Sequence, residues 1–182
     1  INKGIWNEEL NSNLLCEGAQ GVWLDIDNGL YPYVTSSITL PYGACSIGFP
    51  TQKINKVWGV AKIYDTKSGE DPRFSNRLLE DPVLKALADL GQEFGVTTGR
   101  RRKVNWLNLD MLIRAVNITG TTNLVISKCD IINELGHFKL SYGGRLVRFL
   151  SLDEMISFVE TTIRNNSPLV EYVKFSYSPE VI

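Results

Sequence analysis

Residues 123–130 read Asn-Leu-Val-Ile-Ser-Lys-Cys-Asp, an apolar run that leads straight into charged side chains. The run from Asn123 to Ser127 has the length and β-branched content of a buried strand. Ser127-Lys128-Cys129-Asp130 then forms a polar turn where that strand ends. In open α/β sheets, ligands bind beyond the carboxyl ends of the strands. The segment therefore predicts a buried strand with a candidate ligand-binding turn at its end.

Strand and helix signals alternate on both sides of this strand. Asp81-Pro82 opens a helix in the usual manner of proline at the first helical position, and Gly91 ends it. Gly143-Gly144 separates two strand-like runs as a hairpin turn, and Ser151 begins a helix with a capping box. The remaining elements follow from apolar spacing. Strands are predicted at residues 14–16, 56–64, 123–127, 137–142, 145–150 and 169–175, and helices at 82–90, 107–118 and 152–164.

This order predicts an α/β fold, with a mostly parallel sheet and flanking helices. The chain has 182 residues, of which 43% are hydrophobic, so it can bury a substantial core. We find no repeat, low-complexity segment or linker, and therefore expect residues 1–182 to form a single domain segment. The chain begins at Ile1 without a methionine, which predicts that it is part of a longer protein.

Composition narrows the class of partner and compartment. The formal net charge of −1 does not favour nucleic acid or a membrane surface as a partner. No apolar run approaches the roughly 20 residues of a membrane helix, and no secretion signal is present. Cys16, Cys45 and Cys129 are odd in number and lack CxxC spacing, which predicts buried, reduced thiols. These features predict a cytoplasmic protein.

Residues 95–102 read Gly-Val-Thr-Thr-Gly-Arg-Arg-Arg and are a candidate anion-binding loop. Arginine offers planar, bidentate hydrogen bonds to carboxylate or phosphate. Glycine lets backbone N–H groups approach a ligand closely. A solvated basic turn is the alternative for any run of arginines. The threonines and glycine ahead of the charges favour an anion clamp.

Two further patterns carry weaker signals. A Ser/Thr/Asn-Lys-x-Asp turn at the end of a strand recognises guanine in many GTP-binding proteins, although Ser127–Asp130 could also be a simple polar strand exit. Asp25 and Asp27 could act as a carboxylate pair, but loop hydrogen bonding is the favoured interpretation. The single histidine, His137, lies in a strand-like stretch and is interpreted as structural.

The chain lacks the sequence of a phosphate-binding loop. Neither GxxxxGK[ST] nor GxGxxG occurs, and there is no Ser/His/Asp arrangement or metal-type His/Cys cluster. The sequence thus contains parts that could recognise a base and bind anions, without parts that transfer phosphate.

Three motifs together resemble the adenylosuccinate synthetase family. Residues 17–37 contain Glu-Gly-Ala-Gln-Gly, Leu-Asp-Ile-Asp and Tyr-Pro-Tyr-Val-Thr-Ser-Ser, similar to the family's EGAQG…LDIDxGxYPYVTSS block. Residues 95–102 with Trp106-Leu107 are similar to its GxTTGRxR…GWLD block, and Ser127–Asp130 is similar to its TKLD guanine motif. The motifs occur in the family's order and cover nearly all of the chain from about Leu14. The resemblance implies the C-terminal half of such an enzyme.

The resemblance also implies a reaction and its partners. The family phosphorylates the 6-oxygen of a purine monophosphate with a nucleoside triphosphate and Mg²⁺, and the amine of L-aspartate then displaces phosphate. The glycine-rich phosphate loop, the catalytic residues and most Mg²⁺ contacts would lie in the N-terminal half, so this chain alone would not turn over. The implied partners are that half, the substrates and a second copy in a homodimer.

Individual residues match the family's binding positions. The purine monophosphate would be bound by Gln20, Leu24, Thr35 and Arg100. L-aspartate would be bound by Val96, Thr97, Thr98, Gly99, Arg100 and Arg102. The triphosphate and its base would be bound by Arg102, Lys128, Asp130, Ser176 and Ser178.

Several departures leave the substrate and donor open. Thr66-Lys67-Ser68-Gly69 stands where the family usually has Thr-Arg-Val-Gly, and residues 176–180 read Ser-Tyr-Ser-Pro-Glu in place of Ser-Thr-Gly-Pro-Asp. These features resemble the compact archaeal and phage versions, and the substituted loops and ending favour the phage type. The phage type joins aspartate to dGMP, forming 2-amino-deoxyadenylosuccinate in the host cytoplasm, and can use ATP or dATP; the other type joins it to IMP with GTP. A non-catalytic nucleotide- or aspartate-binding remnant, or half of a split enzyme, is the alternative.

Overall fold

A computed structural model describes residues 13–95 and 99–178 of the chain. It divides into two units, Ile1–Val57 and Trp58–Ile182. Whether residues 1–182 act as one domain segment, the C-terminal half of a longer enzyme, stays a prediction.

The first unit is built, in its described part, from short 3-10 helices and irregular loops. The helices are Val22–Leu24, Pro41–Ile47 and Thr51–Lys53. The strand predicted at residues 14–16 is wrong, because Leu14 and Leu15 are 49% and 88% exposed and none of the described strands bonds to their backbone. A short apolar triplet needs such a partner to become a strand.

Asp25 organises a loop of the first unit. Its buried carboxylate accepts hydrogen bonds from the backbone N–H groups of Asp27 (3.1 Å), Asn28 (3.0 Å) and Thr39 (2.7 Å). Burial alone would raise the pKa of Asp25, but these bonds and one from the Asn28 side chain hold it below its usual value. The structure confirms the interpretation of Asp25 as a loop hydrogen-bonding residue.

The second unit contains two sheets flanked by helices. Its strands are β1 (Trp58–Lys62), β2 (Tyr64–Lys67), β3 (Lys103–Asn108), β4 (Asn123–Ser127), β5 (Lys139–Tyr142), β6 (Arg145–Arg148) and β7 (Tyr172–Phe175). Its helices are α1 (Pro82–Leu90), α2 (Leu109–Thr119), α3 (Cys129–Leu135) and α4 (Leu152–Asn166).

The first sheet is parallel, in the order β1-β4-β7, with Val60 opposite Val125 and Val125 opposite Lys174. The second is mixed, in the order β2-β3-β5-β6, with β3 and β5 parallel and the outer pairs antiparallel. Buried Ile63 alone separates β1 from β2 and donates its N–H to Ser127 (2.9 Å). The predicted α/β class is confirmed, with antiparallel edge strands added to the parallel pairs.

Local sequence signals explain where most helices begin and end. Asp81 accepts hydrogen bonds from the N–H groups of Val83 and Leu84 at the start of α1, and Ser151 accepts one from Glu154 at the start of α4. Gly120 ends α2 with φ +64°, a conformation that favours glycine. These predicted boundaries are confirmed.

The core of the second unit lies where β-strands and helices pack. Apolar burial of this kind contributes roughly 1.5–3 kcal/mol per large side chain. The fully buried members include Leu107, Leu124, Ile126, Ile132, Met155, Val159 and Ile163.

Several elements differ from the predictions. Strand β3 was not predicted, and the strand predicted at residues 56–64 is divided at Ile63 between β1 and β2, which belong to different sheets. Leu107 belongs to β3, since the Asn108 side chain caps α2 by accepting from the N–H of Met111 (3.0 Å), so this helix begins later than predicted. The short helix α3 was not predicted, because it follows Lys128 without a side-chain cap. All three cysteines are free, as predicted, but only Cys129 is buried, whereas Cys45 is half-buried and Cys16 is exposed.

Candidate functional site

The described residues on either side of the arginine-rich loop are joined as the two arms of a hairpin. The N–H of Gly95 donates to Arg100 (2.8 Å) and the N–H of Gly99 donates to Gly95 (2.8 Å). Gly99 has φ +62°, which a side chain would strain. Phe94 and Arg101 form the bridge at its base. The predicted ligand-binding residues Val96, Thr97 and Thr98 lie outside the described residues.

The three arginines of the hairpin have different surroundings. Arg100 is 63% exposed, and its Nη2 lies 3.9 Å from Glu70 Oε1. Arg101 donates from Nη2 to Asp89 Oδ1 (2.6 Å) and to the carbonyl of Lys85 (3.0 Å), both on α1. Its guanidinium also stands over the ring of Phe94. Arg100 thus faces solvent, while Arg101 fastens the hairpin to α1.

Arg102 is paired with a buried carboxylate. Its backbone N–H donates to the carbonyl of Glu93 (2.9 Å), and its Nη1 donates to Glu93 Oε2 (3.1 Å). The Glu93 side chain is only 2% exposed. It also accepts from Lys62 Nζ (2.6 and 2.7 Å) and from the hydroxyl of Tyr64 (2.8 Å). We call Lys62, Tyr64, Glu93 and Arg102 the Glu93 cluster.

The pKa values of three members of the Glu93 cluster are shifted by their surroundings. Burial alone would raise the pKa of Glu93, but the hydrogen bonds from Lys62 and Tyr64 and the charge of Lys62 hold it below its usual value. Burial lowers the pKa of Lys62; Glu93 opposes this shift, whereas Arg102 and Lys128 add to it. Burial and Glu93 both raise the pKa of Tyr64, which therefore remains a hydrogen-bond donor.

The predicted base-binding residues meet at the carboxyl ends of β4 and β7. Ser176 donates its N–H to the carbonyl of Ile126 (2.8 Å), and its carbonyl accepts from Cys129 (3.1 Å). Its hydroxyl donates to the carbonyl of Ser178 (2.8 Å). Half-buried Asp130 lies in the first turn of α3. The structure therefore brings Lys128, Asp130, Ser176 and Ser178 together at one sheet edge.

Lys128 connects this edge to the arginine hairpin. Its backbone has φ +67°, and its Nζ donates to the carbonyl of Gly91 (3.2 Å). Two residues later, Glu93 holds Arg102. The predicted base-binding lysine and carboxylate-binding arginine, 26 positions apart in sequence, are thus attached to the same short segment, residues 91–93.

Lys62 and Glu93 were not predicted from the sequence. Lys62 lies at the carboxyl end of β1, and Lys128 directly follows the carboxyl end of β4. This similar position relative to a strand is the sequence feature from which Lys62 could have been predicted. Glu93 comes shortly before three arginines, which need a counter-charge wherever they are partly buried.

The three predicted residues of the first unit are Gln20 and Thr35 in loops and Leu24 at the end of a 3-10 helix. Gln20 is exposed and has φ +71°. Leu24 donates its N–H to the carbonyl of Gly21 (2.9 Å), and Thr35 donates its N–H to the carbonyl of Leu24 (2.7 Å). Leu24 and Thr35 are therefore joined through their backbones and half-buried.

Two kinds of site are not found in residues 13–95 and 99–178. No group of three or more His, Cys, Asp or Glu side chains there has an arrangement that could hold a metal ion. No helix in the same ranges has the length and apolar content needed to cross a membrane.

Sequence comparisons relate the chain to known enzymes. The family model described as adenylosuccinate synthetase matches residues 4–161. The adenylosuccinate synthetase of Petrotoga mobilis is 44% identical over 130 residues, which cover 71% of this chain and 30% of that protein. The enzyme of Thermosynechococcus vestitus is 48% identical over 129 residues, which cover 70% of this chain and 28% of that enzyme. The chain thus spans about a third of the length of the curated relatives that it matches.

Solved structures give the same relationship. The fully ligated adenylosuccinate synthetase of Plasmodium falciparum superposes with a TM-score of 0.63 at 33% identity, covering 77% of this chain and 35% of that one. The succinoaminodeoxyadenylate synthetase of cyanophage S-2L, bound to dGMP and dATP, gives a TM-score of 0.57 at 16% identity. The match covers 89% of this chain and 43% of that one. The second likeness concerns the fold alone.

Proposed function

The chain belongs to the adenylosuccinate synthetase family, and we propose that it forms the C-terminal half of a ligase of purine nucleotide biosynthesis. That ligase joins L-aspartate to the 6-position of a purine monophosphate, using a nucleoside triphosphate through a 6-phosphoryl intermediate. We assign to this chain the binding of the purine monophosphate, L-aspartate and the base of the triphosphate. We assign phosphoryl transfer and most Mg²⁺ contacts to the N-terminal half.

One observation carries the proposal beyond family membership. Arg102 and Lys128 come from separate motifs, yet both bond to residues 91–93. Lys128 follows the carboxyl end of β4, and Lys62, which shares Glu93 with Arg102, lies at the carboxyl end of the neighbouring strand β1. This is the edge of an α/β sheet at which ligands bind. A carboxylate-binding group beside a base-binding group is what a reaction between an amino acid and a nucleotide requires.

The hairpin is proposed to hold L-aspartate. Exposed Arg100 and half-buried Arg102 supply charged donors for its carboxylates, and Gly99 leaves the backbone accessible, with Val96, Thr97 and Thr98 completing the loop. Binding both carboxylates orients the amine of L-aspartate toward the purine carbon. Holding two reactants in this way removes much of the entropic part of the barrier.

The base-binding edge is proposed to hold the nucleoside triphosphate. Asp130 accepts from the base and Lys128 packs on it, while Ser176 and Ser178 line the same turn and Arg102 reaches toward the phosphates. The Ser-Lys-Cys-Asp turn favours GTP, and the altered ending at residues 176–180 leaves ATP or dATP as alternatives. Gln20, Leu24 and Thr35, with Arg100, are proposed to bind the purine monophosphate.

We favour IMP as that monophosphate. Relatives that are 39–48% identical bear the name adenylosuccinate synthetase. Support for the phage reaction with dGMP comes from the substituted loops noted above, since the structure bound to dGMP is only 16% identical and shares the fold alone. The proposed assembly is a cytoplasmic homodimer, as in the family at large.

The binding assignment is tested by Arg100→Ala. Loss of a charge-assisted clamp should cost about 2–5 kcal/mol of L-aspartate binding, so we expect at least a tenfold rise in the dissociation constant, measured by calorimetric or NMR titration of the chain. Arg148→Ala, which removes an exposed arginine from β6, is the matched control. Unchanged affinity in Arg100→Ala, or equal loss in both variants, would contradict the assignment.

A non-catalytic binding protein would give the same titration result as half of a ligase. Addition of the N-terminal half distinguishes these two functions. Ligase activity that appears only in the mixture supports the proposed function. Binding of L-aspartate and GTP without activity in the mixture favours the binding remnant.

A further inference from the structure

Glu93 occupies an unusual position at the base of the hairpin. It is a buried carboxylate between helix α1 and three arginines, and it accepts hydrogen bonds from side chains on β1, β2 and the hairpin itself. None of these partners is a neighbour in sequence: Lys62 is 31 positions away and Arg102 is nine. A buried charge is retained only when it is well paired, so this arrangement requires an explanation.

The geometry leaves Glu93 little freedom. Oε1 accepts from Lys62 and Tyr64, and Oε2 accepts from Lys62 and Arg102. The backbones of Glu93 and Arg102 are also hydrogen-bonded. Arg102 is therefore held both at its backbone and at one nitrogen of its guanidinium. Because a guanidinium is a rigid, planar fork of donors, fixing one nitrogen sets the direction of the others.

The charges favour a further anion at this place. The single carboxylate of Glu93 is shared by two cations, Lys62 and Arg102, so the cluster keeps a net positive charge. Lys128 lies close enough for its charge to lower the pKa of Lys62. Glu93 thus restrains Arg102 without cancelling the attraction of this region for a ligand carboxylate.

We propose that Glu93 is a positioning residue, which, supported by Lys62 and Tyr64, fixes the Arg102 guanidinium in the orientation that binds a carboxylate of L-aspartate. This inference rests on the proposed function of the hairpin. It assigns a role to three residues, Lys62, Tyr64 and Glu93, that the motif resemblance left unassigned.

The first test needs no ligand. In the wild-type chain we expect the guanidinium of Arg102 to show restricted rotation by NMR, because one of its nitrogens is bonded to a buried carboxylate. Glu93→Gln keeps the shape of the side chain and removes its charge, and it should free that rotation. Glu160→Gln, which removes the exposed partner of Arg164 on α4, should leave it unchanged. Restricted rotation of Arg102 that persists in Glu93→Gln would overturn the proposal.

The second test separates positioning from general loss of structure. We expect Glu93→Gln to weaken L-aspartate binding at least tenfold while changing guanosine binding less than twofold, since guanosine carries no phosphate and its proposed site is the Lys128–Asp130 turn. Equal weakening of both probes, or L-aspartate affinity within twofold of wild type, would overturn the positioning role. If Glu93→Gln does not fold, the same criteria are applied to Glu93→Asp. Its shorter side chain cannot reach both Lys62 and Arg102.

The two tests also separate this inference from the proposed function. A wild-type chain that binds neither L-aspartate nor guanosine contradicts the proposed function, and the rotation of Arg102 then still decides whether Glu93 positions it. If the wild-type chain binds both ligands, and Glu93→Gln alters neither the affinity for L-aspartate nor the rotation of Arg102, only the positioning role is contradicted.

Discussion

At the scale of single residues, the strained backbone positions coincide with the candidate sites. Among the described residues, Gln20, Gln92 and Lys128 are those other than glycine with positive φ. Such conformations are uncommon and cost of order 1 kcal/mol or more, and they cluster at functional sites. Gln20 and Lys128 were predicted from motifs to bind ligands, and Gln92 lies within residues 91–93. The ligand-binding roles of Gln20 and Lys128 remain predictions, and their positive φ angles mark both positions for mutational study.

Gly91 is required by close packing. A Cβ atom there would collide with the hydroxyl of buried Tyr64 and approach the carbonyl of Leu87 closely. We expect Gly91→Ala to lower the free energy of unfolding by about 1–3 kcal/mol, as overpacked cores do. Urea denaturation measures the change.

A double variant and a control make this prediction specific. Tyr64→Phe removes the colliding oxygen, so its combination with Gly91→Ala should cost less than the sum of the two single changes. Gly21→Ala, with open space around its Cβ and φ −137°, should have little effect. Strict additivity at residues 64 and 91 would contradict the collision.

At the scale of elements, helix α1 supports the hairpin. Lys85 and Asp89 on this helix hold Arg101, and the turn that follows α1 supplies Gly91 and Glu93 to Lys128 and Arg102. Both candidate binding regions of the second unit therefore depend on where α1 begins and ends. Its start is set by Asp81 and Pro82.

We expect Asp81→Ala to lower the free energy of unfolding by about 1 kcal/mol, the usual cost of losing a helix N-cap. The carboxylate accepts hydrogen bonds from Val83 (2.8 Å) and Leu84 (3.0 Å), which alanine cannot replace. Glu80→Ala removes the same charge from the adjacent exposed position and serves as the control in thermal or urea denaturation. Equal losses in the two variants would show that charge, and not capping, is responsible.

At the scale of the whole molecule, stability should depend on pH through Asp65. Burial raises its pKa from the usual 3.8 to about 7, despite a hydrogen bond from the N–H of Asn108 and the charge of Arg73. Between these values the folded state binds more protons than the unfolded state. The free energy of unfolding contributed by Asp65 therefore falls as pH rises from about 4 to about 7.

Replacing the carboxyl group of Asp65 tests whether the free energy of unfolding falls with pH for this reason. Asp65→Asn should flatten the decline in the free energy of unfolding between about pH 4 and pH 7, measured by urea denaturation at several pH values. Asp153→Asn, in the exposed first turn of α4, should retain the wild-type slope. A slope in Asp65→Asn equal to that of the wild type would contradict the raised pKa.

Elements with local causes were predictable. Asp81-Pro82, Gly120 and Ser151 mark helix ends because caps act within a few residues, and Gly143-Gly144 makes a hairpin because both glycines adopt positive φ. Strand β3 was missed because a charged, mixed segment becomes a strand only through pairing with β2 and β5. The apparent strand at residues 14–16 failed for the opposite reason, since no described strand pairs with it.

The sequence by itself determined the family, the α/β class and the identity of the candidate binding residues, because long motifs and helix caps are properties of adjacent positions. Only the tertiary structure decided that Lys128 bonds to Gly91, that Arg101 is fastened to α1, and that Glu93 gathers Lys62, Tyr64 and Arg102. These contacts join positions up to 37 residues apart. Such pairs are set by the order and register of strands, which no local pattern encodes.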